Sequence, residues 1–202
     1  MSLQILKNKL LRSPIILAIK DEVAFQEALS YNQKIVFLLY GDICTIGDHV
    51  KLAKEHGKTV FVHLDLIDGI TNREICVDFI NEFTEADGVI STKPRLLKYA
   101  KQYDFITILR IFMLDSMALE NSFHNLEHCQ PDLVEVLPGI ATKSFALVKN
   151  NFDIPIIAGG LIRTKDDVLD AINHGASAIS STRLELCEIN HIIQEYLDKK
   201  NF

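Results

Sequence analysis

Two pairs of small residues carry the most specific chemistry of the chain: Gly159-Gly160 in IPIIAGGLIRTKDD and Ser181-Thr182 in GASAISST. Each pair closes a short apolar run, Ile154 to Ala158 and Ala176 to Ser180, with the composition of a strand buried on both faces. Glycine lacks the Cβ that holds a backbone away from an anion, while serine and threonine add hydroxyls to the backbone N–H groups at a helix start. Between the runs, Thr164 and Asp167 form a capping-box pattern, and Val168, Ala171 and Ile172 form an apolar helical stripe that Gly175 can close. The unit reads strand, helix, strand. Its two strand ends predict a phosphate cradle of the kind found after the last two strands of a (β/α)8 barrel.

Other polar residues fall at the ends of apolar runs, where a barrel places its functional groups: Lys20, Asp42, His63, Asp65, Asp68, Ser91, Lys93, Arg110, Asp115, Glu135 and Arg163. Glu135 alternates with Val134 and Val136, so its carboxylate is expected inside the barrel, where Arg110 could pair with it or hold a ligand. Lys20 could neutralise a phosphate, form a Schiff base if desolvated, or pair with Asp65. His63 could act as a base, although a lone strand histidine commonly serves packing. Asp65 and Asp68 in DLIDG could bridge Mg²⁺ to a phosphate, but two acids do not complete an oxygen shell, and one Asp capping a turn is the plainer expectation. No cofactor is expected. Nothing in the spacing supplies a nucleophile, base and orienter together.

The elements that must position these groups are short and regular. Strands are predicted at Pro14–Ile19, Lys34–Tyr40, Thr59–Leu64, Asp87–Ser91, Phe105–Ile111, Asp132–Leu137 and in the two runs above, each followed by a helical pattern. Thr71 with Glu74 reads as the start of a helix whose inner face is Ile75, Cys76, Phe79, Ile80 and Phe83. Pro94 marks one further start and Asp115 or Ser116 another, and Leu184, Ile189, Ile192, Ile193 and Leu197 supply a final helix. Alternation of this kind predicts one compact (β/α)8 TIM barrel, an α/β domain spanning residues 1–202, with an open doubly wound sheet as the alternative.

Composition bounds the function. At 202 residues and 48% hydrophobic, the chain can bury one sizeable core. No apolar run reaches membrane-spanning length, and the N-terminus lacks a secretory pattern, so a cytoplasmic location without membrane partners is expected. Cys44, Cys76, Cys129 and Cys187 are scattered without CxxC spacing; of these, Cys44 at a strand end is the candidate reactive thiol. A formal net charge of −6 disfavours broad binding to nucleic acid but leaves room for a local basic patch. TKPRLLKYAKQY offers one: Lys93, Arg95, Lys98 and Lys101 with Tyr99 and Tyr103, suited to RNA phosphates or to plain solvation.

Taken in order, SPIILAIKD, VHLDLIDG, GVISTK, LRIFMLDSMALE, VEVLPG, IPIIAGGLIRTKDDV and GASAISST span most of the chain. The sequence in these segments resembles the bacterial glycerol-3-phosphate-responsive antiterminators of glycerol uptake operons. The resemblance implies a non-enzymatic (β/α)8 sensor that binds glycerol 3-phosphate as effector and acts on the leader mRNA of a glycerol operon; a homo-oligomer is compatible with this. It implies a phosphate cradle of Gly159, Gly160, Ser181 and Thr182, with Asp65, Arg110 and Glu135 around the glycerol end. The alternative is an enzyme acting on a phosphorylated sugar or polyol, of isomerase or aldolase type.

Overall fold

Strands buried on both faces can satisfy their backbone groups only by pairing on both edges, and here the pairing closes on itself. In the computed structural model, which describes residues 2–190, 192, 193, 195 and 196, eight strands pair parallel in chain order: β1 (Ile15–Ile19), β2 (Ile35–Leu38), β3 (Thr59–His63), β4 (Gly88–Ser91), β5 (Ile106–Phe112), β6 (Leu133–Leu137), β7 (Ile156–Gly159) and β8 (Ala178–Ser181). The ring closes where Ile15, Ile16 and Leu17 of β1 register with Ile179, Ser180 and Ser181 of β8. This is the (β/α)8 barrel predicted from the alternation, and no open edge leaves room for the doubly wound alternative.

The strand period of two sorts side chains into an inner and an outer core. Ile16, Phe37, Phe61, Ile90, Ile108, Leu133, Ile157 and Ala178 point inward and form one apolar cluster. Leu17, Val36, Val62, Val89, Leu109, Val134, Ala158 and Ile179 pack outward in the cluster they share with the helices. Two residues further along β3, β5, β6 and β8, the inward positions turn polar: His63, Arg110, Glu135 and Ser180.

The helices are α1 (Leu3–Arg12), α2 (Glu22–Ser30), α3 (Ile46–Glu55), α4 (Ile75–Phe83), α5 (Pro94–Ala100), α6 (Ser116–Cys129), α7 (Lys143–Lys149) and α8 (Lys165–Asn173). Several start on side-chain caps in the loops that follow the strands. Asp21 accepts from the Ala24 amide at 2.8 Å, Asp115 from the Ala118 amide at 2.7 Å, and Thr164 and Asp167 complete the predicted capping box of α8.

Three expectations change. Helix α1 was not among the predicted elements, yet Leu6 and Leu10 on one of its faces enter the inner apolar cluster and seal the N-terminal end of the barrel. Helix α4 begins at Ile75 without a side-chain cap, so Thr71 does not open it, and its buried face is Cys76, Val77 and Ile80. Ile75 and Phe83, predicted inside, are 62% and 66% exposed. After β8, Leu184–Ile189 forms a 3-10 turn in place of the first part of the predicted final helix; Ile192 and Ile193 are helical as expected, and Leu197 lies outside the described residues.

Candidate functional site at the barrel mouth

Glu135 organises the C-terminal end of the barrel. Its side chain projects inward from β6 and is 1% exposed, a position that an unpaired carboxylate could occupy only at a cost of several kcal/mol. Two partners neutralise that cost. Arg110 Nε, from the register-matched position on β5, donates to Glu135 Oε2 at 2.6 Å, and the Ser180 hydroxyl donates to Oε1 from β8, on the far side of β7. Room for this arrangement comes from Gly159: a Cβ there would stand 2.7 Å from Glu135 Oε1 and 2.8 Å from Ser180 Oγ. The absent side chain thus serves the buried carboxylate, a role that a Gly-Gly turn does not reveal in sequence.

With Nε committed to Glu135, the terminal guanidinium nitrogens of Arg110 keep no protein partner among the described residues, and the side chain lines a cavity of about 400 Å³. The rest of the lining comes from the loops after β7 and β8. Gly160 and Leu161 adopt left-handed backbone, with φ of 74° and 61°, which turns the chain sharply after β7. The backbone N–H groups of Gly160, Leu161 and Thr182 donate to no acceptor among the described residues. The amides of Arg163 and Thr164, by contrast, are taken by Asp167, and that of Arg183 by the Ser181 hydroxyl.

Arg163 and Arg183 also line the cavity, both exposed and neither within ion-pair distance of a carboxylate among the described residues. Three guanidiniums therefore face one carboxylate, in a protein whose net charge is −6. Free N–H groups and guanidiniums that outnumber the carboxylates of the lining together suit an anion with several acceptor oxygens, and the Arg110 end presents donors to a hydroxylated body. Arg183 was not among the residues singled out in the sequence; its only signal there is adjacency to Ser181-Thr182.

Gly160, Ser181, Thr182, Arg110 and Glu135 thus line one cavity, with Gly159 behind it. Lys20 and Asp65 do not line it. Lys20 sits exposed beyond β1. Asp65 spends both carboxylate oxygens on the β4 exit, accepting from Ser91 Oγ at 2.7 Å and from the Thr92 amide and hydroxyl at 2.6 and 2.7 Å. Burial alone would push its carboxyl up, but these bonds and the nearby His63 hold it below the usual carboxylate range. Asp68 is held elsewhere, bridged through its backbone to Asp42 in the loop after β2, and no group of three His, Cys, Asp or Glu side chains with metal-binding geometry occurs among the described residues.

His63 is 1% exposed, and neither ring nitrogen has a hydrogen-bond partner. Burial, reinforced by the Arg110 charge and opposed by Asp65, lowers its pKa to about 4, so the ring is neutral near pH 7. Of the basic stripe on α5, Arg95 is paired with Glu74 at 2.9 Å and Lys101 donates to the Gln130 carbonyl, while Lys93 and Lys98 are exposed. Cys44 is exposed and the other three cysteines are buried. No helix among the described residues is long and apolar enough to cross a membrane.

A closed parallel barrel with a cavity lined by arginines after its last two strands defines the class: a (β/α)8 barrel. The model of the glycerol-3-phosphate responsive antiterminator family matches residues 15–187, and the chain belongs to that family, one of regulators rather than enzymes. It is 40% identical over 177 residues to the Escherichia coli K12 protein YgcP, covering 88% of this chain and 93% of that protein. A glycerol uptake operon antiterminator regulatory protein from Listeria monocytogenes superposes with a TM-score of 0.84 at 33% identity, covering 86% of this chain and 94% of the other. An antiterminator-related protein from Thermotoga maritima gives 0.78 at 34% identity, covering 87% and 98%.

Proposed function

We propose that this protein is a cytoplasmic antiterminator that binds glycerol 3-phosphate at the barrel mouth and, in that state, acts on the leader RNA of a glycerol operon. The observation that carries the ligand assignment is the cavity with three guanidiniums, one carboxylate and the unpaired N–H groups of Gly160, Leu161 and Thr182. The phosphate lies against those N–H groups between Arg163 and Arg183. The glycerol hydroxyls reach the terminal nitrogens of Arg110 and the edge of the Glu135 carboxylate. Family membership supports the regulatory half of the reading.

Coupling follows from where the phosphate sits. The loops after β7 and β8 supply most of its contacts, and each carries one exposed arginine that an anion between them can engage. Ligand binding draws the loops together and changes the surface offered to RNA, so each ligand strengthens binding of the other by the same factor. Leader RNA affinity, measured at fixed salt with and without saturating glycerol 3-phosphate, tests this directly. A higher affinity with ligand is expected; identical affinities at demonstrated occupancy would refute the coupling.

A further inference from the structure

The mouth cavity is uneven in charge. Its lining holds three arginines and one carboxylate, and that carboxylate, Glu135, is spent on Arg110. The pair stands on the strands, with side chains 11% and 1% exposed for Arg110 and Glu135. Arg163 and Arg183 stand on the loops, exposed and without a carboxylate within ion-pair distance among the described residues. Asp167, a few residues past Arg163, gives Oδ2 to the Arg163 and Thr164 amides. In the lining, arginines therefore exceed carboxylates at the loop end, while the strand end is formally neutral.

By geometry, the terminal N–H groups of Arg110 can donate to a hydroxyl or to a carboxylate; charge separates the two. A carboxylate there would meet a guanidinium that Glu135 already balances, with a second carboxylate behind it. The neighbouring wall offers it nothing more. Ala18 and Leu39, two residues beyond the inward-facing Ile16 and Phe37, and Leu137, two beyond Glu135, are apolar, and Lys20 does not line the cavity. A carboxylate would lose its water without a net attraction in return, whereas a hydroxyl gives up less water and meets the same donors. The hydrogen bonds of Glu135 do not themselves require its charge. A glutamine of the same shape could accept from Arg110 Nε and donate to Ser180 Oγ. The chain instead buries a carboxylate and leaves out a Cβ at Gly159 to make room for it.

We infer that Glu135 sets the ligand class of the mouth: by balancing Arg110, it makes the strand end accept an uncharged hydroxylated body and disfavour a carboxylate. The ligand class is then a phosphomonoester with a neutral polyol tail, and a phosphorylated hydroxy acid of the same size is excluded. Glu135 acts here as a positioning residue, through the charge and orientation of Arg110. The inference rests on the assignment of the phosphate of glycerol 3-phosphate to the loop end.

The test is calorimetric titration of the full chain with racemic glycerol 3-phosphate and racemic 3-phosphoglycerate at fixed pH and salt, two ligands that differ only in a hydroxymethyl group against a carboxylate. The wild type is expected to prefer glycerol 3-phosphate by about tenfold or more. In Glu135→Gln that preference is expected to shrink by about tenfold, because Arg110 is left free to attract the carboxylate. Glu135→Asp keeps the charge, so it is expected to bind both ligands more weakly and to retain the preference. A role in shape alone predicts the reverse order, with Gln the milder change and the preference constant in both variants. No binding of glycerol 3-phosphate to the wild type would overturn the ligand assignment and this inference with it. Binding of glycerol 3-phosphate with 3-phosphoglycerate within about threefold of it would overturn this inference alone, and decides the matter even where neither variant folds. An unchanged preference in folded Glu135→Gln would overturn it equally.

Discussion

The two ends of the barrel are made from the same strands, two residues apart, and answer opposite demands. Near the N-terminal end, Ile16, Phe37, Phe61, Leu133 and Ile157 fill the interior, and Leu6 and Leu10 of α1 close it. One strand step higher, the inward residues are His63, Arg110, Glu135 and Ser180, and the interior opens into a cavity. Apolar packing accepts many sequences of similar volume, whereas a buried carboxylate accepts only partners at hydrogen-bond distance. The lower layer therefore contributes stability, and the upper layer uses some of it to hold Arg110 at the cavity.

Removing one half of the upper ion pair should give the largest effect. Glu135→Ala leaves Arg110 buried without its carboxylate and is expected to cost about 3–5 kcal/mol, read from denaturant unfolding, with loss of glycerol 3-phosphate binding. Leu10→Ala, in the lower layer, is expected to cost about 2–5 kcal/mol while the folded fraction keeps its ligand affinity. If Leu10→Ala changes affinity as much as Glu135→Ala does, the two layers are not separable in the way described.

His63 gives the next effect. In the folded protein it titrates near 4 rather than at its ordinary 6.5, so the unfolded chain takes up this proton first as pH falls. The associated stability is fully present above about pH 6.5 and is lost progressively toward about pH 4, roughly 2–4 kcal/mol in all. His63→Leu should flatten the dependence of unfolding free energy on pH across that window. An unchanged slope would show that other groups carry it. The smallest changes are expected at the rim, where Arg163→Ala or Arg183→Ala should each weaken glycerol 3-phosphate binding by roughly tenfold, about 1–2 kcal/mol, with the melting temperature unchanged.

How much of this was legible in the sequence differs between the same two layers. The strands announce themselves as unbroken apolar runs, and the capping box at Thr164 and Asp167 forms as its spacing predicts. Glu135 could be placed inside from its alternation with valines, and its pairing with Arg110 was one of two readings open to it. Helix α1 was missed, although Ser2 is a capping residue and Leu3, Leu6 and Leu10 share a helical face. The placement of Asp65 depends on Ser91 and Thr92, 26 and 27 residues away, a contact that no local pattern encodes. Gly159 reads as a turn residue, while its structural reason, the Glu135 carboxylate, stands one strand earlier, beyond α7. Arg183 has no periodic signature at all; it matters because β8 ends beside β7 in a closed ring.

The central claim is that the cavity after β7 and β8 binds the phosphate of glycerol 3-phosphate. Calorimetric titration of the intact protein with glycerol 3-phosphate, glycerol and inorganic phosphate, repeated with Thr182→Asp and Gly160→Asp, tests it most directly. Each substitution places a carboxylate at the N–H groups assigned to the phosphate, and Thr182 is exposed, so that variant should fold normally. One site per chain is predicted, preferring glycerol 3-phosphate over either fragment and lost in both variants. Glycerol 3-phosphate binding of undiminished affinity in a folded Thr182→Asp protein would contradict the placement.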